Sequence, residues 1–296
     1  MKIHWKKIEL SDKDLIQNYY KQQNVGSCEA TFANNYLWAS HYDVRFAIVE
    51  GMLVFLSEGE EPSVTFPIGE GDKKQVLDIL MSYFEELEKP FRMHLISPAQ
   101  FERLEMLYPG KFKVSYNRDY ADYVYETEKL ITLSGKKLHG KRNHINKFKS
   151  MHSDWSYEPI TDENTAECVA MAQKWRELNG CDEDEEKQAE FCVTLNALKM
   201  RKELGLTGGL LRAEGEVIAF TLGEPGGNDT FIVHIEKAYA DIQGAYPMIN
   251  QQFAEHEAAG YKYINREEDT GAEGLRKAKL SYYPVMLLEK GNVIYA

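Results

Sequence analysis

Two hydrophobic periods alternate along this chain, and the switches between them mark its elements. "DKKQVLDILMSYFEELEK", residues 72–89, has the helical period, with Val76, Ile79, Leu80, Tyr83, Phe84 and Leu87 on one face. "RFAIVEGMLVFLS" before it reads as a hairpin turned at Glu50–Gly51, and "PSVTFPIG" as a short strand. "FRMHLIS" follows as a strand, then "PAQFERLEMLY" as a helix opened by Pro98, then "KFKVSYNRDYADYVYE" as extended chain. Residues 1–43 read as helical pieces, with Ser11 as a candidate N-cap.

The second half repeats this order. "GLLRAEGEVIAFTLGE" is a hairpin turned at Glu214–Gly215, "DTFIVHIEKAY" a strand, "GAYPMINQQFAEHEAAG" a helix, "YKYINREE" a strand and "GAEGLRKAKLSYY" a helix. Such orders also recur by coincidence, but the two Glu-Gly turns favour a duplicated α/β unit with mixed sheets. The expected units are 1–130 and 131–296, with a basic helix over 135–150, N-capped by Ser134, at their junction. Two further helices lie between the halves. Met171, Trp175 and Leu178 line the first, and Phe191, Leu195 and Leu198 the second. Trp175 and the methionines read as core.

Composition changes this picture little: 43% of residues are hydrophobic and 28% charged, as in a globular protein. No apolar run approaches the roughly 20 residues of a membrane helix, and "MKIHWKKIEL" is no secretory signal. The expectation is a cytoplasmic protein with at most peripheral membrane contact. Cys28, Cys168, Cys181 and Cys192 form no close pair, so no metal site is expected, and Cys168 and Cys192 read as buried helix thiols. The net charge of −12 argues against a general nucleic-acid binder. Charge is segregated, however: residues 136–149 carry six Lys or Arg and no acid, whereas 182–186 are all acidic. An uncompensated basic run in an acidic chain favours an anion site over a merely solvated face.

Three sets of residues can carry chemistry. In "DTFIVHIEKAY", period-2 alternation puts His234 and Glu236 on one face, as an imidazole–carboxylate acid–base pair. Alone, His234 reads as a satisfied sheet histidine; Glu236 leans to function. The turn Gln243–Gly244–Ala245 opens the next helix, where free amides attract phosphate, although a plain tight turn is the simpler reading. Next, "INREEDTGAEGLRKAKLSYYP" gathers Asn265, Arg266, Glu267, Glu268 and Asp269 at a strand end, where α/β sheets bind ligands. Its following helix puts Arg276, Lys279 and Tyr283 on one face. An ion-pair network stitching strand to helix explains the same residues equally well. Last, the basic segment offers Lys141 and Arg142.

"LHGKRNHINKF", "AFTLGE", "HIEKAYADIQGAYPMINQQFA" and "YINREEDTGAEGLRKAKLSYYP" together resemble the phosphatidylglycerol lysyltransferase C-terminal-like family, over residues from about 25 to 290. The resemblance implies two tandem GNAT-like acyltransferase domains. It further implies transfer of an aminoacyl group from aminoacyl-tRNA to a phospholipid or other small hydroxyl or amine acceptor. Under it Glu236, Glu267 and His234 are the catalytic candidates. Asp269 or Glu268 would hold an ammonium, and Arg142, Arg276 and Lys279 would form one anion site. The chain lacks the large membrane-embedded portion of the lipid-modifying relatives. The acyl-CoA signature is poorly met, because Asp241 and Tyr246 flank Gly244. No cofactor is therefore expected. An acyl-CoA-dependent N-acetyltransferase and a non-catalytic module for a charged amino acid or phosphorylated head group are the alternatives.

Overall fold

The structure, a computed structural model, describes residues 3–296 apart from 22, 24, 25, 181–183 and 228. Cys181, Asp182 and Glu183 thus lie outside the described residues.

Two seven-stranded mixed sheets form the framework. The first runs Lys6–Lys7, Val44–Val49, Met52–Ser57, Ser63–Val64, Met93–Ile96, Gly291–Tyr295, Phe112–Tyr116. The second, taken from its opposite edge, runs Ser156–Pro159, Thr207–Ala213, Glu216–Pro225, Thr230–Ala238, Tyr263–Asn265, Asp122–Glu126, Met286–Leu288. In both, only the fourth and fifth strands are parallel, and every other neighbour is antiparallel. In both, a helix, Lys73–Glu86 or Ala245–Glu257, connects these two strands. The chain is thus two tandem GNAT-like units.

The boundary at residue 130 does not divide the sheets. The sixth strand of each comes from the other half: Gly291–Tyr295 completes the first sheet, and Asp122–Glu126 the second. "KFKVSYNRDYADYVYE", read as one extended piece, is broken by a 3-10 turn at Arg118–Tyr120 that sends its two strands to different sheets.

The hairpin turns form as expected. Glu50 and Gly51 have φ of 47° and 76°, Glu214 and Gly215 of 53° and 80°, the paired positive values that match strand twist. The strand Met52–Ser57 is buried on both faces. Met52, Val54 and Leu56 pack under the helices 73–86 and 98–107 with Val76, Leu80 and Phe84. Leu53 and Phe55 join a core shared with Phe148, Phe220 and Ile249 of the second unit.

Some local expectations are corrected. The basic helix starts at His139, not 135, and Ser134 does not cap it. Leu133, at φ 48°, instead turns the chain ahead of it. The first turn, Leu10–Asp12, is capped by Glu9 in a reciprocal box with Asp12, not by Ser11. Cys192 is exposed rather than buried, while Cys28 and Cys168 are buried. No helix among the described residues is long and apolar enough to cross a membrane.

Exchanged strands and a core cluster shared by the two units couple their unfolding. Calorimetry should therefore show one cooperative transition; two resolved transitions would contradict the exchange.

Candidate active site

The site begins where the second sheet opens. Thr230, Phe231 and Ile232 pair in parallel with Tyr263, Ile264 and Asn265. The ladder then ends, because the Arg266 amide donates to the Tyr123 carbonyl (2.9 Å) and the Tyr123 amide to the Glu267 carbonyl (3.1 Å). The chain thereby turns onto the exchanged strand, and the facing edge of Val233–Ala238 has no ladder partner among the described residues. Glu267 makes the turn with φ 56°, a left-handed conformation costly for a non-glycine residue and frequent at functional sites.

His234 and Glu236 do not form the expected pair. Leu222 pairs with Ile235 and Gly223 with Val233, so His234 is an extra residue in a bulge. One inserted residue breaks the alternation, and the two side chains acquire separate partners.

His234 is clamped between two carboxylates. Its Nδ1 lies 2.7 Å from Glu267 Oε1 and its Nε2 3.1 Å from Glu224 Oε1, and its side chain is 5% exposed. Burial opposes charging the imidazole, but the hydrogen bonds to Glu224 and Glu267 outweigh it and raise the pKa to about 10. Both ring nitrogens therefore donate. Burial also raises the Glu267 carboxyl, against the pull of the imidazolium.

Beside this clamp, Asn265 Nδ2 donates to the Gly26 carbonyl and to Asp122 Oδ2, both at 2.8 Å. Cys28, Glu29, Asp122 and Glu268 offer ligand atoms within 4.8 Å of one another, a set that suits a metal ion. The Lys290 ammonium stands among them, 2.6 Å from Asp122 and 3.2 Å from Glu268, and bonds Glu29. Asn265 and Glu268 are thus tied into this buried network.

A second cluster surrounds Glu236. Its Oε1 accepts from Arg266 Nη2 at 2.8 Å and its Oε2 from Asn250 Nδ2 at 3.1 Å. Arg266 lies over the rings of Tyr282 (5.0 Å) and Tyr125 (5.7 Å), and Lys141 Nζ over Tyr282 at 4.0 Å. Three buried atoms here have no protein hydrogen-bond partner: Arg266 Nη1, Asn250 Oδ1 and Thr221 Oγ1, the last on the residue paired with Glu236. Reversing the Asn250 amide would not help, because Glu236 requires its NH2 donor. Lys141 makes no hydrogen bond or ion pair among the described residues. Its half-burial, then the charge of Arg266, lowers its pKa to about 8, with Glu236 pulling the other way.

The other expected cations are committed elsewhere. Arg276 grips Asp269 through two bonds, 2.9 and 2.7 Å, and reaches Asp119 at 2.5 Å; Asp269 also accepts from the Tyr123 hydroxyl. Lys279 Nζ donates to the carbonyls of Arg266 (2.7 Å), Glu267 (3.2 Å) and Glu268. Arg142 donates to the carbonyls of Leu133 and Gly135. The shared anion site of Arg142, Arg276 and Lys279 is therefore not formed, because each cation is satisfied by a different backbone or carboxylate partner. Tyr283 is exposed and carries Lys137 over its ring at 5.0 Å.

The Gln243–Gly244–Ala245 turn is closed to a phosphate. Gly244 has φ 92°, and a Cβ there would stand 2.5 Å from the His144 carbonyl oxygen and 2.9 Å from Phe148 Cβ. The glycine serves close helix packing, and the carbonyl sets a partial negative charge where an anion would need positive charge. Glu224, Asn250, Thr221 and Lys290 were not singled out from sequence. Glu224 and Asn250 lie within distinctive motifs, but only the bulge and the splay reveal their partners.

A histidine whose folded pKa exceeds its unfolded value of about 6.5 contributes stability fully below that pH and loses it as pH rises through about 10. Urea titrations from pH 6 to 10 should show this loss in the wild type and not in His234→Gln. At neutral pH His234→Ala, which strands two carboxylates, should cost about 3–5 kcal/mol; an unchanged midpoint would contradict the clamp.

The phosphatidylglycerol lysyltransferase C-terminal family matches residues 21–290. A conserved protein of unknown function from Bacteroides thetaiotaomicron is 41% identical over the whole of both chains, with a TM-score of 0.95. The C-terminal domain of a putative lysylphosphatidylglycerol synthetase from Agrobacterium fabrum shares the fold at 13% identity and TM-score 0.70, over 96% of this chain and 91% of that one. L-PGS from Bacillus licheniformis does so at 14% identity and TM-score 0.63, with the same coverage. The family match spans nearly the whole chain: this chain belongs to the phosphatidylglycerol lysyltransferase C-terminal family.

Proposed function

We propose that the chain is an acyltransferase that moves an aminoacyl group from aminoacyl-tRNA to a hydroxyl or amine of a small acceptor, phospholipid head groups included, at the splay of the second sheet. One observation carries the reading: Arg266 Nη1, a buried donor, and Asn250 Oδ1, a buried acceptor, flank Glu236 without protein partners. An aminoacyl ester presents the complement, a carbonyl oxygen that accepts and an ammonium that donates. Glu236 adds negative charge for the ammonium, and Arg266 positive charge where the carbonyl oxygen becomes an oxyanion. Membership of the family supports the donor class. The covered turn at Gly244 weighs against an acyl-CoA donor, whose pyrophosphate would need that helix start.

The alternative, a binding module, draws on the closed partnerships of Glu236 and of the His234–Glu267 pair, which remove both as ready bases. The same groups would then hold a charged amino acid without transfer.

Incubation with lysyl-tRNA, alanyl-tRNA, uncharged tRNA or acetyl-CoA, with glycerol-containing head groups and simple amines as acceptors, separates these readings. Transfer from a charged tRNA is expected, weakening with salt because a −12 chain binds RNA only through a local basic patch. Asn250→Ala should lower kcat/KM by roughly 10- to 150-fold, the scale of a lost hydrogen bond to a charged group at about 1.5–3 kcal/mol. Saturable acetyl-CoA turnover without tRNA binding would overturn the donor assignment, and saturable amino-acid binding with no turnover would favour the module.

A further inference from the structure

We propose that Lys141 is the acid–base residue of the transfer, accepting the proton of the attacking acceptor and returning it to the departing ribose oxygen; this rests on the acyl-transfer reading above. The groups first suited to that role are committed. Both oxygens of Glu236 accept hydrogen bonds, both nitrogens of His234 face carboxylates, and Glu267 is held by His234. Lys141 stands beside the splay with neither hydrogen bond nor ion pair among the described residues.

Its seat explains how it stays free. The face of the Tyr282 ring holds Nζ at 4.0 Å without using a hydrogen-bond donor or lone pair. Arg266 lies over the same ring at 5.0 Å, and its charge acts on Lys141. The charged and titratable groups that face Nζ are Tyr282, just past the C-terminal helix, and Arg266 and Glu236 from the opened strands. Glu236 is ion-paired with Arg266 and hydrogen-bonded by Asn250. Nothing nearby clamps Lys141 as an ammonium, and half-burial together with Arg266 brings its pKa to about 8. A base with a pKa near the working pH is the efficient one.

The step balances. Neutral Nζ takes the proton from the acceptor O–H or N–H while that oxygen or nitrogen bonds to the aminoacyl carbonyl carbon. The carbonyl π pair moves onto its oxygen beside Arg266 Nη1. Collapse breaks the bond to the ribose oxygen, which takes the proton from the Lys141 ammonium and leaves the amine neutral again.

Two measurements on the full chain test the assignment. Competitive acetylation by acetic anhydride across pH, read by peptide mass spectrometry, should give Lys141 a half-maximum near pH 8, below the roughly 10.4 of a free lysine side chain. Labelling like an exposed lysine overturns the assignment whatever the activity. With the charged tRNA that supports turnover, the wild-type rate should rise to a plateau near pH 8. Lys141→Ala should lose about 100-fold or more together with that break, and added ethylamine should restore part of the rate. Lys141→Met should keep the thermal midpoint, separating chemistry from folding. If Lys141→Ala keeps both the rate and the break while the wild type turns over, the base assignment falls and acyl transfer stands. If the wild type turns over no donor, the acyl-transfer reading falls and takes Lys141 with it.

Discussion

Two backbone hydrogen bonds between Tyr123 and the Arg266–Glu267 segment determine where this molecule opens. A parallel ladder continues by default, since each further pair satisfies donors and acceptors that burial would otherwise penalise. Here the exchanged strand Asp122–Glu126 offers those groups a competing partner, and after Asn265 the chain takes it. The gap beside Val233–Ala238 follows, as do the left-handed Glu267 and the delivery of Arg266 toward Glu236. Strand exchange and site formation are one event, which links the stability of the whole fold to the geometry of the site.

Charge around the splay falls into two unlike groups. Glu29, Asp122, Glu224, Glu267 and Glu268 share only His234 and Lys290. Glu236 is shared by Arg266 and Asn250, with Lys141 close by. Buried charges persist only when paired and hydrogen-bonded, so the first group has the character of a structural clamp, with every cation committed. The second group keeps unspent capacity in Arg266 Nη1, Asn250 Oδ1 and Lys141. That difference, rather than the number of charges, separates site from scaffold.

Much of this architecture was legible in sequence because it is written locally. The Glu-Gly turns, the amphipathic helix 73–86 and the repeated element order each depend on neighbours a few residues apart. The uncompensated basic run likewise marked Lys141. What was not legible depends on distant partners. Nothing within 122–126 or 291–295 encodes which sheet each strand joins. The single extra residue at His234 breaks an alternation that looks regular on paper. Arg276 and Lys279 look like free cations beside acids, yet one is consumed by Asp269 and Asp119 and the other by three carbonyls. Gly244 resembles a phosphate turn until the His144 carbonyl is seen against it.

The central claim is that the unspent polar atoms beside Glu236 receive an aminoacyl group. NMR titration of the isotope-labelled chain with an amino-acid amide tests it most directly, because the amide carries the ammonium and carbonyl of the ester but no leaving group. The account predicts saturable shifts of the Arg266 guanidinium and Asn250 side-chain amide signals, abolished when the amine is acetylated. Saturation that moves Arg276 or Arg142 while Arg266 and Asn250 stay unchanged would contradict it.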